Sequence, residues 1–110
     1  MNNVMNLYPL NQRNSLELVE AYELVPILLN VSRKTKKQIN HLNSQLDVYK
    51  GQAEKRNDIQ ENINELTTKW CDNMKRLGAV PTGPFKVRIP TNEGTFTWEF
   101  PSDQLKKDFN

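Results

Sequence analysis

The residues best suited to chemistry are few: 110 residues hold one cysteine, Cys71, and one histidine, His41. A thiol beside an imidazole can act as nucleophile and base, provided a third group orients the base. No such third group stands at a recognisable spacing from either residue. One thiol makes no internal disulfide, and a single Cys with a single His falls short of the ligand set of a structural zinc. Cys71 therefore reads as a free thiol near a helix face. His41, between Ile39 and Leu42, reads as a solvent-facing edge residue. Glu17, Glu20 and Glu23, and again Asp58, Glu61 and Glu65, have helical spacing that would suit general-acid or metal-ligand work. A solvated face, with the first set complementing the helix macrodipole, is the stronger reading. No Gly-rich phosphate loop, zinc-binding His-Glu-x-x-His pattern or nucleophile elbow is present. The expectation is a non-enzyme with no catalytic residues, no cofactor and no metal.

Two further sets could bind rather than react. Arg33, Lys34, Lys36 and Lys37 are the one concentrated basic run and could grip phosphates or an acidic partner. No aromatic residue interrupts the run to stack on bases, so a solvated helix face is the better reading and nucleic acid the lesser one. Trp70, Trp98, Phe85, Phe96 and Phe100 are expected to pack between helices and strands; left uncovered, they would mark a partner site.

Composition sets the limits within which these residues act. The length gives room for a single domain. With 36% hydrophobic and 25% charged residues, the chain is lean in apolar content for a compact globule. Long helices that bury one stripe each suit that balance, as does a subunit that completes its core against a partner. A net charge of +2 is too small to argue for nucleic acid or an acidic membrane surface. No apolar run approaches the roughly 20 residues of a bilayer span. Met1 to Gln12 lacks the basic start and apolar core of a secretory signal, which points to the cytoplasm.

The elements that must position these residues follow from periodicity. Residues 1–13 carry no clear period and read as an arm, with Leu7, Tyr8 and Leu10 able to dock on a neighbour and Pro9 keeping the chain extended. Asn14, three residues before Glu17, has capping-box spacing, so the first helix is expected over 14–51, stopped near Gly51. Its apolar stripe runs Leu18, Ala21, Val25, Leu28, Ser32, Thr35, Ile39, Leu42, Leu46, Tyr49, consecutive seam positions over about five heptads. Tyr22, Leu24, Leu29 and Val31 widen the stripe in the first half, which therefore needs an extra layer. Pro26 lies inside the pattern, yet the stripe keeps phase across it, predicting a kinked continuous helix with a break as the alternative. The second helix is expected over 52–78. Gln52 to Arg56 reads as a loop or frayed turn, Asn57 with Gln60 forms a second capping box, and the stripe is Ile59, Ile63, Leu66, Trp70, Leu77, with Met74 beside it and Asn73 its one polar member. Gly78 stops it, and the short connection makes the helices antiparallel.

Residues 79–84, with Pro81, Gly83 and Pro84, read as a turn-rich connection. Phe85, Val87, Ile89 and then Phe96, Trp98, Phe100 alternate with polar residues, predicting a β-hairpin over 79–101. The register that places every apolar residue on one face pairs Ile89 with Phe96, Val87 with Trp98, Lys86 with Glu99 and Phe85 with Phe100. Residues 102–110 form a tail in which Leu105 and Phe109, four apart, allow a short helix. The fold class expected is mainly α, α+β: a long antiparallel helical hairpin with a two-stranded β-hairpin packed on one end.

The run Trp70-Cys71-Asp72-Asn73-Met74-Lys75-Arg76-Leu77-Gly78-Ala79, then Pro81, Gly83 and Gly94-Thr95-Phe96-Thr97-Trp98-Glu99-Phe100-Pro101, resembles a bacterial family known only as domain of unknown function 2203. Ser15-Leu16-Glu17 and Glu23-Leu24-Val25-Pro26 resemble its opening helix, so the likeness covers about residues 16–101. It implies the same helical hairpin with a small β element and no assigned activity. The chain departs from the family's pattern at Arg88, where an acid is common, and at Thr97, where a Cys is frequent. The functional expectation is a protein-interaction or self-association module. Five heptads on the first helix face about three on the second, which would leave Ile39, Leu42, Leu46 and Tyr49 available to a protein partner or a second copy. No membrane or small-molecule partner is expected.

Overall fold

The computed structural model describes residues 16–108. Two helices, α1 (Leu18–Val48) and α2 (Ala53–Arg76), precede four strands, β1 (Val80–Gly83), β2 (Lys86–Thr91), β3 (Gly94–Glu99) and β4 (Lys106–Lys107). The strands form one antiparallel sheet in the order β1-β2-β3-β4. The fold is mainly helical α+β, as the periodicities indicated, with two strands more than expected. Its radius of gyration, 17.7 Å, exceeds the roughly 13 Å of a compact domain of this length, because the helical hairpin projects beyond the sheet.

The start of α1 differs from expectation. Leu16 stays extended: its N–H donates to the Pro90 carbonyl at 3.2 Å and its own carbonyl accepts the Asn92 N–H at 2.8 Å. This tie to the sheet delays the helix, so Glu17 becomes the cap, and its N–H donates to the Glu20 carboxylate at 2.9 Å. The capping box has moved three residues along from the Asn14 spacing. Asn14 itself, with the arm over 1–13, lies outside the described residues. α1 then runs unbroken through Pro26. Pro26 faces solvent, where water can reach the carbonyl its ring frees, so the lost backbone bond leaves no buried orphan.

The capping box read at Asn57 does not form, because α2 is already helical from Ala53. Gly51, with φ +83, reverses the chain in a turn closed by the Gln52 N–H and the Tyr49 carbonyl at 3.0 Å. The Arg56 guanidinium then donates to the Leu46 carbonyl near the end of α1, tying the helices at the bend. Gln60 turns to Asn64 instead, at 3.2 Å. The other end of α2 closes as its glycine dictates. Gly78 has φ +93, the Ala79 N–H reaches the Met74 carbonyl at 3.0 Å and the Gly78 N–H reaches Lys75 at 3.1 Å. These are the paired bonds of a Schellman motif, which satisfy carbonyls the helix end would otherwise orphan.

Residues 79–84 are not simply a connection: Val80–Gly83 is an edge strand, with Val80 opposite Arg88 and Pro81 opposite Val87. An edge tolerates Pro81, whose missing N–H costs no ladder bond on the open side. The central hairpin has the register that apolar matching requires, Ile89 against Phe96, Val87 against Trp98 and Lys86 against Glu99. The tail forms β4, not a helix, and pairs with β3, Thr97 opposite Lys106 and Phe96 opposite Lys107. Asp108 fixes it: its N–H donates to the Thr95 carbonyl at 2.9 Å, and its carboxylate takes the Thr97 hydroxyl at 2.6 Å and Arg88 Nε at 3.3 Å. Leu105 is buried, as a strand-end anchor; Phe109 lies outside the described residues.

The core sits where sheet and helices meet. Ala21, Val25 and Leu28 of α1, Trp70 and Met74 of α2, and Val87, Ile89, Phe96 and Trp98 of the sheet form one buried cluster. The extra layer thus covers the widened half of α1, with Leu24, Leu29 and Val31 packed against it. Tyr22, the fourth flanking residue, faces outward instead. Ser32, on the polar layer of the seam, is fully buried and accepts the Trp70 indole N–H at 2.9 Å. A larger residue there would displace the indole, so the small hydroxyl serves both packing and hydrogen bonding.

Candidate functional site

The residues singled out as reactive are separated by the hairpin. His41 lines a groove of about 1150 Å³ with Lys37, Leu42, Leu66, Lys69 and Asp72. Cys71 lines a different, apolar groove of about 540 Å³ with Ile39, Trp70, Pro81 and Phe85. His41 Nε2 lies 3.3 Å from the Gln45 side-chain nitrogen, and Cys71 is a half-buried free thiol packed against the core. Among the described residues no three of His, Cys, Asp and Glu gather as metal ligands. Glu17, Glu23, Asp58, Glu61 and Glu65 are exposed. No described helix is long and apolar enough to cross a membrane.

The aromatic set divides. Trp70, Trp98 and Phe96 are buried, while Phe85 and Phe100 are half-buried, their ring centroids 6.2 Å apart. Lys36 Nζ lies 5.2 Å from the Phe85 ring and 6.0 Å from that of Phe100. The basic run is therefore not one face. Lys36 turns toward the sheet end and caps an aromatic pair, leaving Arg33, Lys34 and Lys37 exposed on the outer side of α1. Phe85 is the sole non-glycine residue at positive φ among those described, +55. Pro84 before it and the positive φ after make the β1–β2 turn of type II, which usually takes Gly at that place. The Trp70 ring, edge-on to Phe85 at 5.3 Å, and the Lys36 contact hold the bulkier residue there.

The seam residues Ile39, Leu42, Leu46 and Tyr49 are all half-buried along the hairpin. The Lys55 ammonium of α2 lies 5.0 Å from the Tyr49 ring. The large apolar side chains that do stand in solvent on α1 are elsewhere. Val19 is 60% exposed, Tyr22 42% and Ile27 46%, and Val48, the last residue of α1 at the bend, 73%. Val19, Tyr22 and Pro26 recur at steps of three and four and Ile27 lies two steps of four beyond Val19, so together they cover a broad band on the side of α1 away from Ala21, Val25 and Leu28. Continuing along the same face come Asn30, Arg33, Lys34 and Lys37, all exposed. Sequence reasoning missed this band because the inward stripe is longer and claimed Tyr22 as its flank. Val19, Tyr22 and Pro26 would have been visible as a second, short period out of phase with the first, with Ile27 at its edge. No family model, curated protein or solved structure matches the chain.

Proposed function

We propose that the chain is a non-enzymatic protein-interaction module whose contact surface is the outer face of α1. The observation that carries this reading is the exposed band of Val19, Tyr22 and Ile27, three large apolar side chains on the solvent side of one helix. Association would remove that surface from water, the dominant favourable contribution in most protein contacts. The seam at Ile39, Leu42, Leu46 and Tyr49 is the less favoured surface, since a partner there would first have to displace α2.

Photo-cross-linking from position 27, in the cells that make the protein, tests the reading. An adduct to another polypeptide is expected from Ile27, and none from the exposed control position Glu54 on α2. Equal labelling at both positions, or none at Ile27, would reject it. The rival occupant of the basic segment is a phosphate backbone, which would appear as nucleic acid bound to purified protein and lost as salt rises.

A further inference from the structure

We infer that the partner is a second copy of this chain, docked antiparallel on α1 about a two-fold axis at the level of Leu28. This rests on the proposed interaction face and adds its occupant. The argument is charge and shape along one helix face. Its N-terminal half is apolar, with Glu23 on it and half-buried Glu20 at its edge beside Ile27, and its C-terminal half is basic, with Arg33, Lys34 and Lys37. Parallel copies would set base against base. Antiparallel copies level at Leu28 set Glu23 against Lys34 of the second copy on one flank, Tyr22 against its Arg33 on the other and Val19 against the aliphatic stem of its Lys37 between them, and the axis repeats each contact.

Every member of that set is available. Glu23, Arg33, Lys34 and Lys37 are exposed, and among the described residues none of them has an ion pair within the chain. The ring of Tyr22 can receive a guanidinium over its face, and a Lys–carboxylate pair supplies a charge-assisted bond. Near the axis the facing residues are Pro26, Ile27 and Asn30, two of them apolar and none charged. The contact from Val19 to Lys37 spans about 27 Å of helix. A two-fold axis makes the patch self-complementary, as an isologous dimer needs.

The test is light scattering on the purified full chain across the micromolar range, with Glu23→Lys, Lys34→Glu and the double variant, each checked for native helicity by circular dichroism. Wild type is expected to dimerise reversibly. Each single substitution sets like charges against each other and should weaken the dimer at least tenfold. The double variant should restore it, and an equimolar mixture of the two single variants should form the heterodimer. A wild type that stays monomeric overturns the inference, as does a dimer indifferent to both single substitutions. The mass of the position-27 adduct separates the two readings. Twice the chain mass supports the second copy. A different polypeptide, or an adduct to residues 1–15 of the same chain, overturns it, and the different polypeptide leaves the interaction reading standing.

Discussion

The two ends of the helical hairpin are built from the same heptad pattern and are buried to different depths. At the sheet end Ala21, Val25, Leu28, Ser32, Trp70 and Met74 are buried; at the bend Ile39, Leu42, Leu46 and Tyr49 are half-buried, and of the α2 positions near them only Ile59 is buried. Two helices alone can close a seam but not a core, because each seam residue keeps a flank open to water. The sheet supplies the third side. It does so through large side chains, Trp98 being the largest that is fully buried. The stability of the molecule therefore concentrates at one end, and the hairpin arm beyond it depends on that end for its position.

That contrast can be broken at its centre. Trp98 has no exposed surface and its indole N–H donates to the Ser102 carbonyl at 2.7 Å. Trp98→Ala should cost about 3–5 kcal/mol, a loss near the whole stability of a domain this size, and thermal melting should show it unfolded or nearly so. One chemical change made at both ends sharpens the comparison. Leu28→Ala should cost about 2–5 kcal/mol, and Leu42→Ala about half that or less, since part of its side chain is already in water. Equal denaturant midpoints for the two would contradict the gradient.

A polar position at the junction gives a smaller effect. Ser32→Ala leaves the buried Trp70 indole N–H without its acceptor, which should cost about 1–3 kcal/mol. Ser32→Thr keeps a hydroxyl but adds a methyl where there is no open surface, and should not rescue fully. The mildest readout is hydrogen exchange on the unaltered chain. Amides of α1 from Ile39 to Tyr49 should exchange by local opening, faster than those from Ala21 to Ser32, which should require global unfolding. Uniform protection along α1 would mean that the bend is as firmly held as the sheet end.

The stripes, the stop at Gly78 and the hairpin register of Val87 to Trp98 were legible in the sequence because each is local. A seam residue repeats every three or four positions, a strand residue every two, and both patterns read without knowing the partner. The capping boxes were less legible. Asn57 with Gln60 matched the spacing of a box, yet the Gly51 turn and the Arg56 bond to Leu46 had already started the helix. At Leu16 a backbone pairing with Pro90 and Asn92 outweighed the local signal.

The sequence by itself determined the two helices, their inward faces and the pairing of the central strands. Only the tertiary structure decided that Val80–Gly83 and Lys106–Lys107 are strands, that Lys36 leaves the basic run for Phe85 and Phe100, and that Ser32 is a buried acceptor for Trp70. The physical reason is the same in each case. A short edge strand, a cation over a ring and a buried hydroxyl are fixed by partners far away in sequence. Spacing within one element records which face turns inward, but not what meets it there.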